Sequence, residues 1–233
     1  MDPNEIASGP LSGHKVVDLS RGMPGAIATM LMADMGAEVI KIESAVGGES
    51  RRGGGDGGGM GLGLANGLSY TFEVYNRNKK SVAVDLRTEE GKKIVYSLVE
   101  VSDVFVHNHR TGVPGRAGLD YSVLKEHNPR LVYANCSGYG RKGPRAHSPA
   151  NDAAVHAASG MMLGMGAPDM PPVHMIGATA DMTTAMMLAY GIVTALLCVE
   201  RTGVGQELHV SMLATRLWIQ SNNILFTLLN GRP

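Results

Sequence analysis

Short β-branched runs and longer amphipathic runs alternate along this chain. The runs at 14–20 (HKVVDLS), 38–44 (EVIKIES), 80–86 (KSVAVDL), 103–108 (DVFVHN), 131–138 (LVYANCSG) and 206–212 (QELHVSM) have the length and composition of strands. Helical patterns fill the intervals. One spans 26–37 and stops at Gly36. Another spans 88–101, with Thr88 as N-cap and Glu89 and Glu90 in its first turn. A short helix follows at 122–128, longer ones at about 152–164 and 181–201, and a last one runs to about 229. This alternation predicts an α/β fold: a Rossmann-like, mostly parallel six-stranded sheet with helices on both faces. Such sheets bind ligands at the carboxyl ends of their strands. The loops that begin at Arg21, Ser44, Arg87, Asn108 and Gly138 are therefore the ones to watch.

The pattern breaks at 47–67, which is more than half glycine. Bare backbone of this kind can cradle phosphate. Its position argues against that role. A dinucleotide fingerprint belongs after the first strand, where this chain reads SRGMPGA, and no Gly-Lys-Ser/Thr ends the tract. The expectation is a mobile flap between the second and third strands, with Arg51 and Arg52 as its only ligand contacts. The uncharged run 182–199 is near the minimum length of a spanning helix. Its threonines, tyrosine and glycine, and its soluble α/β surroundings, make it a buried core or interface helix.

Composition narrows the field. Of 233 residues, 21 are Lys or Arg and 21 are Asp or Glu, so no net charge argues for nucleic acid or an anionic membrane. Any anionic ligand must be held by local charge. The two cysteines lie in apolar runs without metal-ligand spacing and read as reduced, buried thiols. The polar N-terminus has no basic region or apolar stretch of a signal, and the expected compartment is the cytoplasm. Residues 1–10 read as a tail and 11–230 as one large domain.

Local charge is found at the strand ends. Arg87 follows the third strand, Arg110 and Arg116 the fourth, and Arg141, Lys142 and Arg145 the fifth. Together they suit a multiply phosphorylated ligand, because Arg binds phosphate through paired hydrogen bonds. Asp181, at the start of the long apolar helix, reads first as an N-cap. It also reads as a carboxylate nucleophile kept ionised by the positive helix end. Asp152 is expected to cap its own helix, and the two do not suggest an acid/base pair. HNH at 107–109 is not a zinc spacing, and no metal is expected. The methionines between Met161 and Met187 read as core or a pliable apolar pocket rather than a copper tract. No Ser/His/Asp or Cys/His triad is legible.

Four segments carry a resemblance: LSGHKVVDLSRGMPGAIATMLMADMGAEVIKIES, NRNKKSVAVDL, NPRLVYANCSGYGRKGP and ERTGVGQELHVSML. In this order and spacing the chain resembles the class III CoA-transferases, the family of formyl-CoA and carnitine CoA-transferases and of the related α-methylacyl-CoA racemases. The resemblance implies a Rossmann-like large domain, a small domain and an interlocked homodimer, or a heteromer with a related subunit. The chain looks like the N-terminal part of such a protein, without the small domain and the return segment.

The resemblance also implies chemistry. Asp181 in GATAD matches the nucleophile. Its carboxylate would attack an acyl-CoA thioester to give a mixed anhydride, and the released CoA thiolate would convert this to an aspartyl-CoA thioester. An acceptor carboxylic acid would then leave with the CoA. CoA is thus a substrate, and no tightly bound cofactor is expected. Arg87, Asn108, His109 and Arg116 fall where the family contacts CoA, with Arg116 as the phosphate residue and His109 in place of an aromatic ring. Ser44 stands where a basic residue is common, and Arg51 or Arg52 could substitute. Met23 stands where the formyl-CoA type has Gln, which points away from formyl and oxalate chemistry. Racemases need a histidine where this chain has Asn151, and Asn moves no proton at neutral pH. Transfer is therefore favoured over racemisation, with a non-catalytic CoA-binding subunit as the remaining alternative.

Overall fold

The computed structural model of the chain describes residues 9–45, 69–167 and 169–231. The glycine-rich segment 47–67, and with it Arg51 and Arg52, lies outside the described residues. Six strands form one sheet: β1 (Lys15–Asp18), β2 (Glu38–Ser44), β3 (Lys79–Val84), β4 (Val104–His107), β5 (Val132–Ser137) and β6 (Gln206–Ser211). Their spatial order is β3-β2-β1-β4-β5-β6, and every neighbouring pair is parallel. The six strands lie where the alternation predicts, within one or two residues at their ends.

The helices are α1 (Met23–Asp34), α2 (Tyr70–Tyr75), α3 (Glu89–Glu100), α4 (Val113–Arg116), α5 (Tyr121–His127), α6 (Asp152–Ala158), α7 (Met161–Gly164), α8 (Thr179–Thr202), α9 (Met212–Ile219) and α10 (Ser221–Asn230). The short α2 and α4 carry no apolar period long enough to read from sequence. The helix expected at 152–164 divides at Gly160, whose φ of 76° turns the chain out of the helix. The final helix divides at Gln220.

Alternation along the central strands explains the two layers. Val16, Val104, Val106, Val132 and Ala134 face one way and pack against Ile27, Ala28 and Met32 of α1 and Leu188, Ile192 and Leu196 of α8. Val17, Phe105 and Tyr133 face the other way and meet Val95 and Val99 of α3 with Leu119 and Leu124. β4 is buried throughout because it lies mid-sheet with both faces covered. β3, with Lys79, Lys80 and Ser81, is the polar edge.

The long apolar helix α8 has the length and composition of a membrane span, yet 44% of its most apolar window is buried against the sheet and α1. Its outer face is exposed, so it covers the core with one side only. Cys136 is buried as expected. Cys198, on that outer face of α8, is exposed, which corrects the reading of two buried thiols.

Candidate functional site

The strand order reverses between β1 and β4, and parallel sheets of this order open a crevice there. The loop after β1 is shaped to leave it open. Gly22 takes a φ of 67°, and a Cβ on Gly25 would meet the Ser20 Cβ at 2.4 Å, so only glycine lets the chain turn so tightly into α1. Asn108 ties the two loops together: its Oδ1 accepts a 2.8 Å bond from the Arg21 N–H, and its amide donates to the Arg21 carbonyl. Beneath the loop is a buried charge cluster. The Asp18 carboxylate accepts from Ser20 N–H at 2.8 Å, Thr29 Oγ1 at 2.7 Å and Lys79 Nζ at 2.9 Å, while Lys41 Nζ donates to the Ser20 carbonyl at 2.8 Å. Burial raises the Asp18 pKa, but the charges of Lys41 and Lys79 and the Ser20 bond outweigh it and hold the carboxyl well below its usual range.

Two cavities open at this end of the sheet. The larger, about 610 Å³, is lined by Arg21, Met23, Asn108, Arg110, Asp152 and Asp181 among others. The smaller, about 280 Å³, sits over β1, β2 and β3 and is lined by Arg21, Ser44, Asp85, Arg87 and His109 among others. Arg21 lines both. Of the residues expected at a site, the fold thus brings Met23, Asn108 and Asp181 to one cavity, and Arg87 and His109 to the other. Arg116 and Lys142 are exposed and line neither. The Arg87 guanidinium is paired with the Asp85 carboxylate at 2.8 and 2.9 Å, and that bond holds Asp85 down at about 2. Arg141 pairs with Glu207 and Arg145 lies over the Tyr139 ring, so the basic strand-end residues are partly spoken for. His109 is braced from below: its ring stacks on His107, whose Nδ1 accepts the His109 N–H at 3.2 Å.

The start of α8 departs from the expected capping. Its N-cap position is Ala178, held at φ 50° and without a side-chain acceptor, and Asp181 is the third helical residue. The cap comes from another helix. Asp152 Oδ1 accepts the Ala180 N–H at 2.6 Å and the Asp181 N–H at 3.1 Å. Those are the donors that an N-cap side chain would satisfy. Asp152 does not cap its own helix, because Asn151 does so through the Ala154 N–H at 2.8 Å. Asp152 and Asp181 therefore line one cavity together, a proximity that the sequence did not disclose.

Their proximity sets the charge state. Burial, and then the Asp152 charge, raise the Asp181 pKa to about 7, against the opposing pull of Arg216. The helix terminus alone would keep Asp181 ionised; burial beside a second carboxylate outweighs it. Arg216 of α9 is 2% exposed, its Nη1 meets the Met161 sulfur at 3.7 Å, and its Nε and Nη2 find no acceptor among the described residues. Its positive charge acts on both carboxylates. Arg216 escaped the sequence reading, which marked Arg21 only as the start of a loop to watch and Asp152 only as the cap of its own helix.

The sequence profile of CoA-transferase family III matches residues 11–233. The chain is 38% identical over 205 residues to acetyl-CoA:oxalate CoA-transferase of Acetobacter aceti, a match covering 88% of this chain and 51% of that protein. It is 35% identical over 227 residues to succinate–glutarate CoA-transferase of Agrobacterium fabrum, covering 96% of this chain and 56% of that protein. Among solved structures, a CAIB/BAIF family protein from Brucella suis superposes with a TM-score of 0.88 at 34% identity, over 97% of this chain and 59% of the other. The chain spans about half the length of the curated relatives it matches.

Proposed function

The chain belongs to CoA-transferase family III, and on that premise we propose that it moves CoA from an acyl-CoA thioester to a free carboxylic acid, with Asp181 as covalent nucleophile. The observation that carries this reading is a half-buried carboxylate on the wall of a cavity at the point where the sheet order reverses. A carboxylate that ionises near neutrality is available as the anion and is more basic than an exposed one, as a nucleophile should be. The mixed anhydride and the aspartyl-CoA thioester would form in the larger cavity. The nucleotide end of CoA would lie toward the smaller one, near Arg87 and His109, with Arg21 shared between the two. The Arg87–Asp85 pair would open or share its guanidinium with phosphate. Arg116 and Lys142 would meet the ligand from outside these cavities, and Arg51 from a segment outside the described residues.

Racemisation is less well supported. Asn151, at the position where a racemase needs histidine, is occupied in capping α6 and carries no transferable proton. The exposed outer faces of α8, α9 and α10 support a homodimer, the assembly expected from the resemblance. An exposed, unpaired Cys198 fits a reducing compartment, and the cytoplasm is the one we propose.

The test is mass spectrometry of the chain after incubation with acyl-CoA and then hydroxylamine. An acyl or CoA adduct on the Asp181 peptide, converted to a hydroxamate, is the expected result. Asp181→Ala should abolish it and lower transfer by at least about a thousandfold. Active protein with no modification at Asp181 would overturn the covalent reading.

A further inference from the structure

Asp152 has a second oxygen that the helix cap does not use. Its Oδ2 is buried and accepts no hydrogen bond among the described residues. Two imidazoles converge on it. His174 Nε2 lies 3.3 Å away, carried by the segment between α7 and α8. His156 Nε2 lies 3.9 Å away, one turn along α6 from Asp152 and therefore on the same helix face. The three donor atoms all lie within 4.8 Å of one another. A zinc ion bonded at about 2.0–2.2 Å to nitrogen and oxygen in tetrahedral geometry separates its donors by roughly 3.3–3.5 Å. Two of the three separations are thus near those of an occupied site before any adjustment.

We propose that Asp152, His156 and His174 form a binding site for a divalent transition-metal ion on the wall of the larger cavity. Two imidazoles and one carboxylate are a donor set for zinc, nickel, copper or ferrous iron, and too nitrogen-rich for magnesium or calcium. The parts divide the work. Asp152 keeps Oδ1 on the α8 amides and offers Oδ2 to the ion. His156 is fully buried, and its Nε2 exchanges a 3.0 Å bond with Thr179 Oγ1 for the metal. His174 has a half-exposed side chain and closes the site from the solvent side, which gives the ion its entry path. Three protein donors leave a fourth position open. Asp152 and His174 both line the cavity, so a water or a carboxylate oxygen fits there. The sequence hides this set, because its spacing of four and then eighteen residues follows no familiar metal motif.

The proposal concerns binding, so its test stands apart from the transferase reading. The untagged chain, stripped with chelator, is titrated with Zn2+ by calorimetry and with Co2+ followed by visible absorption. One equivalent is expected, with the visible bands of a nitrogen-containing, low-coordinate Co2+ site. His174→Ala and His156→Gln should each weaken binding by tenfold or more, while His147→Ala, an exposed residue of the segment before α6 that lines neither cavity, should leave it unchanged. Circular dichroism melts establish that each variant is folded. Should His156→Gln fail to fold, His174→Ala still decides, since its side chain is the exposed member. Absence of saturable binding by the folded chain overturns the site, as does binding undiminished in His174→Ala. Metal binding lost in these variants supports the site even in protein that transfers no CoA, a case that would defeat the proposed activity alone.

Discussion

At the scale of single residues, the buried charges under the first loop decide more than the exposed ones beside it. Asp18 is fully buried, yet its carboxyl is held far below the ordinary range by Lys41, Lys79 and Ser20. Its folded-state pKa is thus lower than its unfolded value of about 3.9. The stabilisation is present above that value and is lost as pH falls through and below it, because the unfolded chain takes up the proton first. Urea unfolding followed from about pH 7 to about pH 3 should show this decline. Asp18→Asn should remove Asp18's share of it, and should destabilise the protein at neutral pH by about 3–5 kcal/mol, since it breaks the buried ion pair with Lys79 and removes the charge that attracts Lys41. An Asp18→Asn protein with unchanged stability and acid response would show that the pair merely breaks even. Asp85 has a lowered pKa too, through Arg87, but that pair is at the surface and a similar substitution there should be nearly silent.

At the scale of elements, what the sequence discloses depends on how locally each feature is determined. The six strands and the frame of long helices follow from runs of apolar residues, and their bounds were legible to within a few residues. The cap of α8 was not, because the acceptor stands 28 residues upstream on another helix. From the sequence, Asp181 has the position of an N-cap; only packing reveals that Asp152 supplies the oxygen and that Asp181 lies inside the first turn. The same distance hides the raised pKa of Asp181, which depends on burial and a neighbour rather than on its own helix. Met23, the first residue of α1, and Asn108, the first beyond β4, in contrast follow closely on strand ends, and the topology sends those connections to the crevice. A stability measurement separates the two accounts of capping. Asp152→Ala should cost about 1–2 kcal/mol, the usual loss when a helix cap is truncated, while Asp152→Asn, which keeps the acceptor oxygen, should cost less than half of that. Equal losses for the two would mean that the charge, not the cap, is what α8 needs.

At the scale of the whole molecule, the unusual feature is apolar surface. Along α8, Met182, Met186, Tyr190, Val193 and Leu197 are exposed at steps of four, four, three and four residues. That spacing draws a continuous stripe down one side of a 24-residue helix whose opposite side is core. Beyond it, Trp218, Leu225, Phe226, Leu228 and Leu229 of α9 and α10 are exposed as well. Isolated exposed apolar side chains are ordinary, but runs of this extent mark an interaction surface. The proposed occupant is a second copy of this chain, and a stable pairing needs about 800 Å² from each partner. Sedimentation equilibrium at micromolar protein should therefore give twice the chain mass. The double variant Met186→Lys, Tyr190→Lys, placed mid-stripe on α8, should shift the chain toward monomer by tenfold or more in dissociation constant without lowering its melting temperature in the monomeric form, since neither side chain is in the core. A purified chain that sediments as a monomer, or a dimer indifferent to those two lysines, would exclude this face as the interface between copies.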